Sequence, residues 1–229
     1  MGKATDHESA LTMTTTAVLD LSARSMSETL AEADLYFMGQ GALIDTLTQL
    51  SEDLKRRGID YVVIGAVALF AHGLRRFTNN IDIVLTAEGL ERFVTPITGK
   101  APQTLCNYNP DVTSYKRVYS VRTGISIRVM TTGEYPGDGK PKPVAMPEPS
   151  EGAIEIDGIR FVTLEKLIEL KLASGISAPH RLKDLADVQE LIKIRELPEG
   201  FAERLDPYVR AKFIELASAV SQAKTEEER

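Results

Sequence analysis

The stretch YVVIGAVALFAHGLRRFTNNIDIVL, Tyr61 to Leu85, decides the fold. It opens on an apolar, β-branched run, Tyr61-Val62-Val63-Ile64, which reads as a strand. Gly65-Ala66 then gives a tight small-residue turn, and a short apolar helix carrying Leu69, Phe70 and His72 follows as far as Gly73. After Arg75 and Arg76, polar and apolar residues alternate from Asn80 to Leu85. A strand there directs Asn80 and Asp82 to one face and Ile81, Ile83 and Leu85 to the other. Such a plan suits phosphate and metal. Backbone N–H groups at a helix start face a phosphate, and carboxylates on adjacent strands hold the divalent ions that bridge to it.

On the N-terminal side, residues 1 to about 24 are rich in Thr, Ser and Ala without a sustained period, and a flexible segment is expected. Ser25-Met26-Ser27-Glu28 fits a capping box. Helix is expected from there to Arg57, broken at Gly39-Gln40-Gly41, with an apolar stripe at Leu43, Leu47, Leu50 and Leu54 and a stop at Gly58. On the C-terminal side, residues 88–97 read as helix. Residues 113–122 and 125–131 read as strands joined at Thr123-Gly124. Five prolines between positions 133 and 150 make that segment an extended loop. Short strands at 153–156 and 159–162 flank the turn Asp157-Gly158. Helices follow from Thr163 to about Ala173, from Pro179 to about Glu196, and from Asp206-Pro207 to about Ala223. The fold class is α/β (α+β): a small mixed sheet flanked by helices, with a helical C-terminal part. The expected divisions are a segment 1–24, a core 25–162 with its N-terminal helix, and a helical part 163–229 packed on that core.

Composition narrows the function. The net charge of -6 and a pI near 5.3 argue against general nucleic-acid binding, which favours a basic face, yet leave room for a local basic pocket. The single cysteine, Cys106, excludes an internal disulfide and points to a reducing compartment; it reads as a buried small residue rather than a nucleophile. The longest apolar run is broken by Gly65 and too short to cross a bilayer. No leader pattern is present, and Asp6 spoils a myristoylation site, so a cytoplasmic protein with no membrane association is expected. His72 reads as a packed helix-end histidine, and His7 and His180 have no partners at metal spacing.

Gly65-Ala66 followed by Arg76-x-Thr78-x-Asn80-x-Asp82-Ile83 resembles the core of the DNA polymerase beta-type nucleotidyltransferase superfamily. It is most similar to the small bacterial nucleotidyltransferases of the abortive-infection and toxin-antitoxin type. Leu167-Ile168-Glu169-Leu170-Lys171-Leu172 and Arg181-x-Lys183-Asp184-x-x-Asp187 resemble elements that follow the core there, so the resemblance spans about 59 to 188. It implies nucleotide or phosphate binding by Gly65, Ala66, Arg76, Thr78, Lys171, Arg181 and Asp184. It also implies three metal-binding acids, at the positions of Asn80, Asp82 and, on the strand Ile125 to Val129, Arg128. The departures decide the expectation. Three negative charges become Asn, Asp and Arg, which sum to zero, and Ala66 replaces a Gly or Ser. Arg128 is expected to pair with Asp82, leaving weak metal binding or none there, with no cofactor unless the protein is active, when Mg would be required.

The leading function is a nucleotidyltransferase-fold protein, catalytically degenerate at its metal site, that retains a nucleoside triphosphate or other phosphate ligand. One alternative is an active enzyme moving a nucleoside monophosphate from a triphosphate to a protein, RNA or small-molecule acceptor, with Asp111 or Asp157 as an unrecognised acid. The other is a non-enzymatic module that binds a protein partner in a toxin-antitoxin-like pair. Several residues have two readings. Lys171 lies on an apolar stripe and either snorkels outward or points into a polar pocket, contacting phosphate or pairing with Asp184. Arg181 with Asp184, and Lys183 with Asp187, form surface ion pairs or a cleft rim. Arg76 contacts phosphate or anchors the turn, whereas Arg75 reads as solvated. Lys140 and Lys142 form a basic lip or sit on a solvated loop.

Overall fold

The computed structural model describes residues 25–96, 108–111 and 114–227; the segment 1–24 and Cys106 lie outside them. Ser25 caps α1 (Met26–Phe37) by the expected reciprocal pair, its Oγ accepting from the Glu28 N–H at 3.3 Å while the Glu28 carboxylate accepts from the Ser25 N–H at 2.8 Å. Gly39 and Gly41 both take positive φ, and the chain restarts as α2 (Ala42–Arg56), with Leu43, Leu47, Leu50 and Leu54 buried. Then come β1 (Tyr61–Ile64), α3 (Gly65–Ala71), β2 (Asn80–Leu85) and α4 (Ala87–Val94). Next are β3 (Tyr108–Asp111), β4 (Ser114–Ser120) and β5 (Ser126–Thr131), then β6 (Ala153–Ile156) and β7 (Ile159–Val162). Three helices finish the chain: α5 (Leu164–Ser177), α6 (Leu182–Arg195) and α7 (Pro207–Glu227).

The strands form one mixed sheet in the order β3-β4-β5-β2-β1-β7-β6. β1 runs antiparallel to β2, which places Ile64 opposite Asp82. β2 runs parallel to β5, which places Asp82 opposite Arg128. β1 and β2 are central and covered on both faces; Val62, Val63, Ile81, Ile83 and Val84 are all fully buried. The buried residues form one cluster from Tyr36 of α1 through α2 and the sheet to α7. No helix among the described residues is long and apolar enough to cross a membrane.

Three departures from the sequence expectation have physical causes. β3 is not among the strands expected from the sequence; it contains Pro110, which has no N–H for a ladder, but it is an edge strand, where that absence is tolerated, and its register shifts at Pro110/Asp111. α5 passes through Gly175 to Ser177. A Cβ at Gly175 would stand 2.5 Å from Leu185 on α6, so this glycine is a point of close helix approach rather than a stop. In the loop after β5, Lys142 is neither part of a lip nor solvated. The Lys142 ammonium turns inward to the Pro136 and Lys140 carbonyls, at 2.9 and 2.7 Å, and to Asp138 at 2.7 Å.

Two side chains position the segment between α3 and β2. His72 is buried at the end of α3 with Nε2 2.7 Å from the Val162 carbonyl oxygen, and burial lowers its pKa despite that contact. Tyr36 of α1 donates its hydroxyl to the Arg76 carbonyl at 3.1 Å and packs on Phe70 and Phe77; burial pushes its pKa up to about 12. Arg75 is exposed and reaches over the Phe70 ring at 5.9 Å.

Candidate functional site

Asp82 is 7% exposed, and both its oxygens are occupied. Arg128 Nε donates to Oδ1 at 2.6 Å and Nη2 to Oδ2 at 2.8 Å, a two-pronged pairing that the parallel β2–β5 register dictates. Asn80, two residues along the same face, donates its side-chain amide to Oδ1 at 3.0 Å. Burial alone would lower the Arg128 pKa. The hydrogen bond and charge of Asp82, with Asp184 nearby, outweigh that and hold it above its ordinary value. Gly65 closes the other side. Its φ is +70°, and a Cβ there would stand 2.4 Å from Asp82 Oδ2.

A second ionic cluster lies between α5 and α6. Lys171 Nζ donates to Asp184 at 3.1 Å and to Asp187 at 2.7 Å, and all three side chains are buried. Asp184 also accepts from the Ser174 hydroxyl at 2.7 Å and from Arg181 Nε at 2.9 Å. Burial pushes the Asp184 carboxyl up, but Lys171, Ser174 and Arg181 together hold it below the ordinary carboxylate range. Arg76 reaches this cluster from the sheet side. Its Nε lies 3.2 Å from Asp187 Oδ1, an ion-pair distance, yet it is buried without a hydrogen bond of good geometry. The charge attraction holds the two together all the same, because Coulomb attraction does not depend on donor angle.

The two clusters face one cleft of about 510 Å³. Gly65, Ala66, Arg76, Thr78, Asn80, Asp82, Arg128, Lys171, Arg181 and Asp184, singled out from the sequence, all line it. Sequence reasoning missed Asp187. It assigned that residue to Lys183, whereas its carboxylate turns to Lys171 and Arg76. A signal was present: Lys171 and Ser174 are spaced i, i+3 on one helix, as are Asp184 and Asp187 on the next. Phe77, Asn79 and His180 were not assigned to the cleft and line it too, and Lys183 lines it as its cleft-rim reading expected. Of the alternative acids, Asp157 lies in the β6–β7 turn against a separate apolar pocket, and Asp111 is on edge strand β3, with β4 and β5 between it and β2.

Five cationic side chains and two carboxylates line the cleft, a local excess of positive charge on a chain of net charge -6. Among the described residues, no group of three or more His, Cys, Asp or Glu side chains stands together as a metal site. The residues present do not fit a divalent ion. Such an ion needs free carboxylate oxygens at about 2.0–2.6 Å, and Asp82 offers none while a fixed guanidinium stands beside it. What the lining can do is bind an anion.

No protein-family profile matches the chain, and no curated protein matches it. Among solved structures it is similar to JHP933 from Helicobacter pylori, with 15% identity, a TM-score of 0.42, and 80% of this chain and 93% of that one covered. It is also similar to a putative nucleotidyltransferase from the same organism, with 17% identity, a TM-score of 0.42, and 81% and 96% covered.

Proposed function

We propose that this chain is a nucleotidyltransferase-like protein whose metal site has been replaced by an ion pair, and that its cleft holds a nucleotide or another phosphate compound without transferring it. The observation that carries this is the occupation of both Asp82 oxygens by Arg128 and Asn80. Metal-assisted nucleotidyl transfer needs those oxygens for cations that neutralise the phosphates. Here the neutralising charge is already supplied by arginine. The motif order from Gly65 to Asp82, and the Arg181-x-Lys183-Asp184 element across the cleft, support the nucleotidyltransferase part. The excess of cationic lining supports the phosphate part.

The test is incubation with labelled nucleoside triphosphates, Mg and protein, RNA and small-molecule acceptors. The expected result is retention of nucleotide with no label moved to any acceptor. Transfer that disappears in Asp82→Ala would make this an active enzyme and overturn the proposal.

A further inference from the structure

We infer that the cleft selects the metal-free form of its anionic ligand over the magnesium complex, with Arg128 standing in for the metal ion; this rests on the phosphate-binding reading above. A magnesium complex carries its cation on the phosphate oxygens. To seat those oxygens beside Asp82 it would bring that cation up to the Arg128 guanidinium, which cannot lose its proton. The free polyanion meets no such opposition. Arg128 spends Nε and Nη2 on Asp82, its side chain remains 42% exposed, and among the described residues Nη1 has no partner. Arg181, across the cleft, spends only Nε and is 45% exposed on its side chain. Lys183 is exposed beside it. Guanidinium edges on opposite walls therefore face a common space. The buried Asp82, Asp184 and Asp187 hold the cations in place: both oxygens of Asp82 and of Asp184 accept hydrogen bonds, and Asp187 faces Lys171 with Oδ2 and Arg76 with Oδ1. Asp82 thus acts as a positioning residue, fixing Arg128 as it would otherwise fix an ion.

The experiment is calorimetric titration of the full chain with ATP and with inorganic tripolyphosphate, in EDTA and in excess MgCl2 at matched ionic strength. The expected result is binding about fivefold tighter in EDTA, a difference well resolved as a ratio of dissociation constants. The variant Asp82→Asn/Arg128→Gln keeps the net charge of the cleft and a neutral hydrogen-bonding pair while removing the guanidinium. Its preference for the free ligand should fall below about twofold. An undiminished preference in that variant would assign the effect to net charge and overturn the role of Arg128. Equal or tighter binding of the magnesium complex to the unmodified protein would overturn the inference while leaving an anion-binding cleft. No binding of either anion in either buffer would overturn the phosphate-binding reading itself. The unmodified protein suffices for these last two outcomes should the variant fail to fold.

Discussion

Lys171→Met should destabilise the protein by about 3 kcal/mol in urea unfolding, the scale expected when one member of a buried ionic cluster is removed. Methionine fills the lysine stem but takes away the ammonium between Asp184 and Asp187. Asp184 keeps Arg181 and Ser174, whereas Asp187 keeps only the poorly directed Arg76 contact, so the deficit falls mainly on Asp187. Adding Asp187→Asn should therefore recover more than half of the loss; an additive second loss would contradict that assignment. The exposed pair Lys212 and Glu215 is the control, where Lys212→Met should cost under about 1 kcal/mol. The pH dependence has a definite sign. The Asp184 pKa is held below its ordinary 3.8 in the folded state, so its contribution is present above that value and is lost as pH falls through the folded pKa. The gap between Lys171→Met and the unmodified protein should therefore narrow in acid.

Gly65→Ala should cost about 2–4 kcal/mol, adding a left-handed backbone penalty of about 1–2 kcal/mol to a steric clash. The φ of +70° is only part of the problem, because the new methyl would stand 2.4 Å from Asp82 Oδ2. That carboxylate cannot swing away without breaking its bonds to Arg128 and Asn80. Gly73 separates the two causes. Its φ is +97°, but the nearest atom to a Cβ there is 3.9 Å away. Gly73→Ala should thus show backbone strain alone, and equal losses at the two glycines would contradict the claim that Gly65 makes room for the ion pair.

Much of this arrangement is legible in the sequence. Strand period placed β1, β2, β6 and β7 at their observed limits, because short segments flanked by Gly, Asp-Gly or Thr leave little freedom in register. The Asp82–Arg128 pairing was legible from the family resemblance, which puts Arg128 at the third acid position, and the parallel β2–β5 register places the two residues opposite each other. What escaped was decided by tertiary contact. Gly175 looks like a helix end until Leu185 is packed against it. Pro110 has no N–H for a ladder, and β3 accommodates it by lying at the edge of the sheet. Asp187 looks like the helical partner of Lys183. Only the docking of α6 against α5 shows that it turns inward, where a buried lysine needs a second carboxylate.

The acid position Asp82 is satisfied by protein groups alone. Titration of the unmodified chain with MgCl2 or MnCl2 by calorimetry tests it most directly. No saturable binding is expected in the micromolar range, and it should appear in an Asn80→Asp/Arg128→Asp variant, where carboxylates replace the amide and the guanidinium and make three with Asp82. Micromolar binding to the unmodified protein that is abolished by Asp82→Ala would contradict it.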